Sequence, residues 1–137
     1  MKEIFVLDAC ALIALMEKEP GKEQVRELYR RALSKEITLL MNRVNLLEVY
    51  YGILRSYGQQ SATDLLDNVA KSPIEVTAWN DGLFEEAGRL KVANKISLAD
   101  AVALAQASVS GGSLVTCDHH EFDAIERKET IKFFWIR

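Results

Sequence analysis

Apolar positions in this chain come in two alternating kinds, short unbroken runs and longer stretches in which they recur at helical spacing. Ile4-Phe5-Val6-Leu7 is the first run, β-branched and aromatic, and predicts a buried strand. Ala9–Met16 follows at once, and its Ala and Leu content predicts a helix. After the break at Pro20-Gly21, Val25, Leu28 and Ala32 form one apolar stripe among Lys22, Glu23, Arg26, Glu27, Arg30 and Arg31, an amphipathic helix. Ile37–Met41 predicts a second strand and Val44–Leu54 a buried helix, stopped by Gly58. Ser61–Lys71 predicts a helix, and Ser72-Pro73 ends it before a strand at Ile74–Thr77. Asn80 or Asp81 caps a helix running to about Asn94, and Ser97–Ser110 forms another that Gly111-Gly112 closes. Ser113–Cys117 is a strand, Glu121–Arg127 a short helix and Ile131–Ile136 a last strand. Strands that are apolar throughout, alternating with helices, predict an α/β domain whose largely parallel sheet is covered on both faces.

Composition narrows this picture. With 137 residues the chain suits a single domain spanning 1–137. Its 49% hydrophobic and 27% charged residues exclude a disordered or collagen-like chain. Lys and Arg number 17 against 20 Asp and Glu, so no global basic field exists to hold nucleic acid, and any such contact is local. Asp8 interrupts the apolar run after Lys2 and removes a usable export signal. No segment approaches the ~18 uninterrupted apolar residues of a membrane helix, so no membrane contact is expected. Two cysteines, Cys10 and Cys117, make no framework and no CxxC pair, which predicts free thiols, small and buried, in a reducing cytoplasm.

The acids carry the candidate chemistry. Ligands of open α/β sheets bind beyond the carboxyl ends of the strands, and two strands here lead into aspartates, Asp8 and Asp118. Each also suits the N-cap of the following helix. Glu48 is the only charged residue between Arg43 and Arg55 and shares a face with Val44, Leu47 and Tyr51, so it requires a partner, either one of those arginines or a cation from outside. Asp100 completes a Ser97-x-x-Asp100 capping box, yet it is the only charge on an otherwise apolar helix. Four converging acids would repel by about 4 kcal/mol per pair at 4 Å and an effective dielectric near 20. Cations make that tolerable, and carboxylate oxygens suit Mg²⁺ or Mn²⁺. Removing these four charges from −3 leaves +1, so the formal acidity is what the proposed site supplies.

Other constellations are weaker. His119 and His120 have the chemistry of acid, base or ligand, but adjacent histidines after a strand are usually just exposed. Cys10 and Cys117 match no zinc spacing. Arg43, Arg55, Lys91 and Lys95 flank the acid-bearing helices, as phosphate contacts or as solvated charges; Tyr50, Tyr51 and Trp79 serve either base stacking, a protein partner or the core. A phosphoacceptor receiver needs an acid pair after the first strand, and a haloacid-dehalogenase-like phosphatase needs an acid where Cys10 stands, so neither fits.

Val6-Leu7-Asp8-Ala9-Cys10-Ala11-Leu12, Asn45-Leu46-Leu47-Glu48-Val49, Ser97-Leu98-Ala99-Asp100-Ala101 and Val115-Thr116-Cys117-Asp118 with Phe122 resemble the acidic motifs of the PIN domain, in order and over nearly the whole chain. More narrowly, the chain is similar to single-domain VapC-type toxins of toxin–antitoxin pairs. The resemblance implies a PIN-like three-layer α/β/α fold with a central, mainly parallel sheet of four to five strands. It implies an endoribonuclease dependent on Mg²⁺ or Mn²⁺ that inhibits translation and growth, with an RNA substrate, a cognate antitoxin, a homodimer and a cytoplasmic location. Carried over residue by residue, Asp8, Glu48, Asp100 and Asp118 match the catalytic, metal-holding acids, Asp8 and Asp100 in direct contact and the others directly or through water. Thr116 matches a hydroxyl that orients the fourth motif's acid, and Asp123 stands where some members have a further acid. Cys10 departs from the family's usual Ser or Thr. The alternatives are a PIN-like module that binds protein or RNA without cleaving it, and a PIN nuclease of RNA processing.

Overall fold

The structure, a computed structural model, describes all residues from 1 to 137. Five strands form the sheet: β1 (Glu3–Leu7), β2 (Ile37–Asn42), β3 (Ile74–Thr77), β4 (Ser113–Thr116) and β5 (Lys132–Trp135). Helices α1 (Ala9–Met16) and α2 (Lys22–Leu33) join β1 to β2, and α3 (Arg43–Tyr57) and α4 (Gln59–Ala70) join β2 to β3. Helices α5 (Asp81–Ala93) and α6 (Leu98–Ser110) lead to β4, and α7 (His119–Lys128) leads to β5. Every strand pair is parallel, in the spatial order β3-β2-β1-β4-β5. The chain therefore winds outward from β1 to β3, returns past β1 and winds outward again through β4 and β5. The reversal lies between β1 and β4, the switch point at which ligands of such sheets bind.

Alternation along the strands divides the interior in two. Phe5, Leu7, Leu39, Met41 and Val115 pack with α1 to α4, through Leu12, Val25, Leu28 and Leu65 among others. Val6, Leu40 and Leu114 face the opposite way and pack with α5 to α7, through Leu83, Leu90, Leu104 and Phe122. The expected three-layer α/β/α arrangement is thus observed, with all five strands parallel. No helix is long and apolar enough to cross a membrane.

Element boundaries moved where caps decide them. The fourth strand stops at Thr116 rather than Cys117, and the last helix starts at His119 rather than Glu121, because Asp118 accepts the Glu121 amide at 3.2 Å and opens the helix at once. Helix α3 extends to Tyr57, beyond Leu54, and Gly58 at φ 94° separates it from α4. Phe122, fully buried against Phe133 at 5.7 Å between ring centres, anchors α7 to the sheet. Gly112 lets β4 enter alongside β1, since a Cβ there would stand 2.8 Å from the Ile4 carbonyl oxygen.

Candidate active site

The sheet's central strands build the core of the site. Asp8 follows β1 directly, is 4% exposed, and donates its backbone N–H to the Val115 carbonyl at 3.3 Å, continuing the β1–β4 ladder by one rung. One carboxyl oxygen, Oδ1, accepts the Ala11 amide at 2.9 Å and caps α1. The other, Oδ2, accepts the Thr116 hydroxyl at 2.5 Å, while the Thr116 oxygen accepts the Asp118 amide at 3.1 Å. Thr116 is wholly buried and so bridges the two strand-end acids, fixing the side chain of the first and the backbone of the fourth. Asp8 and Asp118 both cap helices whose N-termini begin at this edge, so the cap at each leaves its place at the switch point unchanged.

Glu48 and Asp100 arrive on helices. Asn45, 1% exposed and one turn before Glu48, donates its Nδ2–H to the Ala99 carbonyl at 3.0 Å, tying α3 to the first turn of α6. Ser97 caps that helix by accepting the Asp100 amide at 3.1 Å. Deeper, Gln106 accepts from Asn42 at 3.1 Å and from the Thr77 hydroxyl at 2.7 Å, holding α6 against the carboxyl ends of β2 and β3. The sequence carried a signal for these amides, since Gln106 and Asn45 are polar residues at helix positions otherwise occupied by core side chains.

Electrostatically the acids are uncompensated. No Lys or Arg of the chain pairs with Asp8, Glu48, Asp100 or Asp118; the ion pairs lie elsewhere, on the helix surfaces and chain ends. Of the two partners left open for Glu48, neither arginine pairs with it: the Arg55 guanidinium lies 5.5 Å over the Tyr51 ring. Burial pushes the Asp8 carboxyl up to about 7, against the pull of the Thr116 and Ala11 hydrogen bonds and with the charges of Asp100 and Asp118 adding to it. Burial likewise raises Asp100 to about 6, opposed by Ser97 and reinforced by the charges of Asp118, Glu121 and Glu48. Glu48 is half-buried and raised by desolvation, with an opposing hydrogen bond to Asn45.

Glu121, on the first turn of α7, thus joins the group whose charge reaches Asp100, although in the sequence it reads as a helix-start acid with nothing to single it out. Asp123 does not figure among the charges acting on Asp8 or Asp100; its Oδ1 lies 2.7 Å from His119 Nδ1 on the same helix. His119 stacks on Trp135 at 3.9 Å, and His120 is exposed. Tyr51 and Trp79 are exposed as well, so neither belongs to the core.

The donor chemistry fits a hard divalent cation. The group consists of carboxylates, and no three His, Cys, Asp or Glu side chains close into a cage. An ion such as Mg²⁺, which keeps several waters and takes only one or two direct carboxylates, needs no such cage. The cysteines overturn one expectation. Cys10 and Cys117 are not free thiols but a disulfide, with Cα atoms 6.3 Å apart. Their 107-residue separation in sequence hid a proximity that only the β1–β4 adjacency creates. Beyond the acids, a cleft of about 760 Å³ is lined by Lys91, Lys95, Asn94, Ser97 and Glu121.

The family model for the PIN domain matches residues 5–128. A search of the curated proteins found no relative. Among solved structures, VapBC2 from Rickettsia felis, bound to a DNA fragment from its promoter, aligns with a TM-score of 0.78 at 20% identity, over 96% of this chain and 97% of that one. DNA-bound VapBC from Salmonella typhimurium aligns over 100% of both chains with a TM-score of 0.76 at 19% identity. VapC20 of Mycobacterium tuberculosis, a sarcin-ricin loop cleaving toxin, gives 0.67 at 20% identity over 89% of this chain and 95% of that one. At these identities the structures speak for the fold, and the family model, spanning both halves of the sheet and every acid described above, shows that the chain belongs to the PIN domain family.

Proposed function

We propose that the chain is the toxin half of a toxin–antitoxin pair, an endoribonuclease that hydrolyses RNA phosphodiester bonds with Mg²⁺ or Mn²⁺. The observation that carries this reading is the gathering of Asp8, Asp100 and Asp118 within reach of one another's charge at the switch point, with Glu48 acting on Asp100 and no cation of the chain pairing any of them. Uncompensated buried acids cost several kcal/mol, and a divalent cation removes that cost. Membership of the PIN family and the likeness to VapBC structures support the nuclease and the pairing with an antitoxin.

Asp8 and Asp100 would hold the cation directly, and Glu48 and Asp118 would hold it directly or through water. When bound, the ion lowers the pKa of a water and stabilises charge on the scissile phosphate. Thr116 keeps Asp8 in one rotamer, and Asn45 keeps α6 at the distance from α3 that brings Asp100 near Glu48. The N-termini of α1, α6 and α7 end at this edge and favour an anion there. Lys91 and Lys95, on the adjoining cleft, supply positive charge for backbone phosphates of the RNA. An apolar groove of about 340 Å³ on α3 and α4, lined by Val44, Leu46, Leu47, Tyr50 and Leu66, suits an antitoxin segment. The reading includes a homodimer; a monomeric mass by light scattering at micromolar concentration would remove that part.

The test is cleavage of total cellular RNA by wild type with Mg²⁺ or Mn²⁺, with EDTA, and by Asp100→Asn. Discrete cuts that EDTA abolishes and that fall about 100-fold or more in the variant are expected. Inert protein that still binds metal would point to a binding module instead.

A further inference from the structure

Cys10 and Cys117 have no part in the chemistry proposed above, yet each adjoins it: Cys10 lies two residues beyond Asp8, and Cys117 stands between Thr116 and Asp118. We propose that this pair is a reversible redox modification site that controls the two acid-bearing turns, and that its reagent is a low-molecular-weight disulfide. Oxidation breaks two S–H bonds and forms one S–S bond; two electrons pass to the small disulfide, which departs as two thiols carrying both protons.

Placement carries the argument. The backbone ladder between β1 and β4 ends at the bond from the Asp8 amide to Val115, and past that rung the chains diverge into α1 and the β4–α7 turn. The disulfide is the covalent link across this divergence, with a Cα separation of 6.3 Å inside the usual window. The turns it joins bear Asp8 and Asp118, whose charges oppose each other, so the link holds together what electrostatics pushes apart. Both cysteines are half-buried rather than sealed, which leaves a path for a small reagent. Reduction removes this link from the turns in which Asp8 holds the Ala11 amide and Thr116 holds the Asp118 amide. The oxidised form is accordingly the one with the acids drawn together. The consequence for metal rests on the nuclease reading; the thiol chemistry does not.

The experiment equilibrates the full chain in reduced or in oxidised glutathione and reads free thiols with intact mass, melting temperature, backbone amide exchange, and the melting shift produced by Mn²⁺. Oxidised glutathione is expected to remove both thiols with the loss of two hydrogens and to raise the metal-free melting temperature by about 10 °C. It is also expected to slow exchange of residues 8–12 and 116–122 by about tenfold, and the Mn²⁺ shift is larger in this form. The double variant Cys10→Ser with Cys117→Ser responds to neither buffer. Two persistent thiols, separate glutathione adducts on each cysteine, equal exchange in the two forms, or a Mn²⁺ shift that is present but identical in both would overturn the proposal. If Mn²⁺ shifts neither form while pairing and the exchange difference hold, the redox site stands and the nuclease reading falls.

Discussion

The proposed site has two halves built in different ways. Asp8 and Asp118 sit where strands end, held by a backbone rung, a shared threonine hydroxyl and the helices they cap. Glu48 and Asp100 sit on helices, and their relative position depends on amide side chains, Asn45 to Ala99 and Gln106 to Asn42 and Thr77, that dock α3 and α6. The strand-end half is fixed by the same hydrogen bonds that make the sheet, and Asp8 within it is buried, with desolvation the first cause of its raised carboxyl. The helix half is adjustable, because side-chain amide bonds, rather than a backbone ladder, set its spacing. Substitutions in the two halves should therefore fail differently, the first through charge and stability, the second through positioning.

The largest effect is expected at Asp8. Its folded-state value of about 7 lies above the ordinary 3.8, so folding is favoured fully below 3.8 and loses that support as pH rises through about 7. At pH 8 the shift amounts to roughly 4 kcal/mol against the metal-free fold. Asp8→Asn keeps an oxygen for the Ala11 amide and removes the charge. It should stabilise the metal-free protein by about 2–4 kcal/mol at pH 8, leave it nearly unchanged at pH 4, and abolish RNA cleavage. Melting curves at pH 4, 6 and 8 decide this, and a lower melting temperature for the variant at pH 8 would contradict the buried, uncompensated acid.

Thr116→Val tests the bridge within the same half. It leaves a buried carboxyl oxygen and the Asp118 amide without their partner, at a cost of about 1–3 kcal/mol. Because the Thr116 bond pulls the Asp8 carboxyl down, its loss should send the Asp8 titration higher still, which carbon NMR of the carboxyl would follow. A downward move would mean that the hydroxyl does not serve the ionised form.

How far each half was legible from sequence follows the same division. Apolar runs and helical stripes located the strands and helices; burial on both faces leaves that signature most fully in β1, β2 and β4, while the edge strands β3 and β5 carry it in part, with Glu75 and Lys132 among their apolar residues. The acids after β1 and β4 were visible as strand-end residues. Their adjacency was not, since strand order is a property of the winding and no local pattern encodes it; the Cys10–Cys117 pairing was missed for the same reason. Glu48 stands out as a lone charge on an apolar face, and of the two partners the sequence leaves open, an arginine of the chain or a cation from outside, no arginine pairs with it. Glu121 was passed over since an acid in a first helical turn is ordinary, and only the orientation of α7 brings its charge to Asp100.

In the helix half, Asn45→Ala should cost about 1 kcal/mol of stability and a disproportionate share of cleavage. The lost bond is the one between α3 and the turn before Asp100. A positioning role predicts a fall in kcat with KM little changed, and Asn45→Asp, which cannot donate to the Ala99 carbonyl, should not rescue it. Loss of stability in proportion to activity would reduce Asn45 to an ordinary core contact.

The smallest effect separates the two acids of α7. Asp123 belongs to neither half of the site: it faces His119, whose other ring nitrogen lies 2.7 Å from the Arg137 carbonyl. Two acceptors on one imidazole require both nitrogens to donate, so the pair favours the protonated ring and raises His119 above its ordinary 6.5, chiefly through Asp123 and next through the Arg137 carbonyl. With the folded value raised, this clasp supports the fold below 6.5 and its support is lost as pH rises through the folded value. Its exposure makes the contribution small. Asp123→Asn should lower the His119 titration midpoint, read by NMR of the ring carbon, and leave RNA cleavage within about twofold of wild type. Glu121→Gln, which removes a charge acting on Asp100, should instead lower the Asp100 titration and change the metal dependence of cleavage. The reverse assignment of effects would move the fifth acid of the proposed site from Glu121 to Asp123.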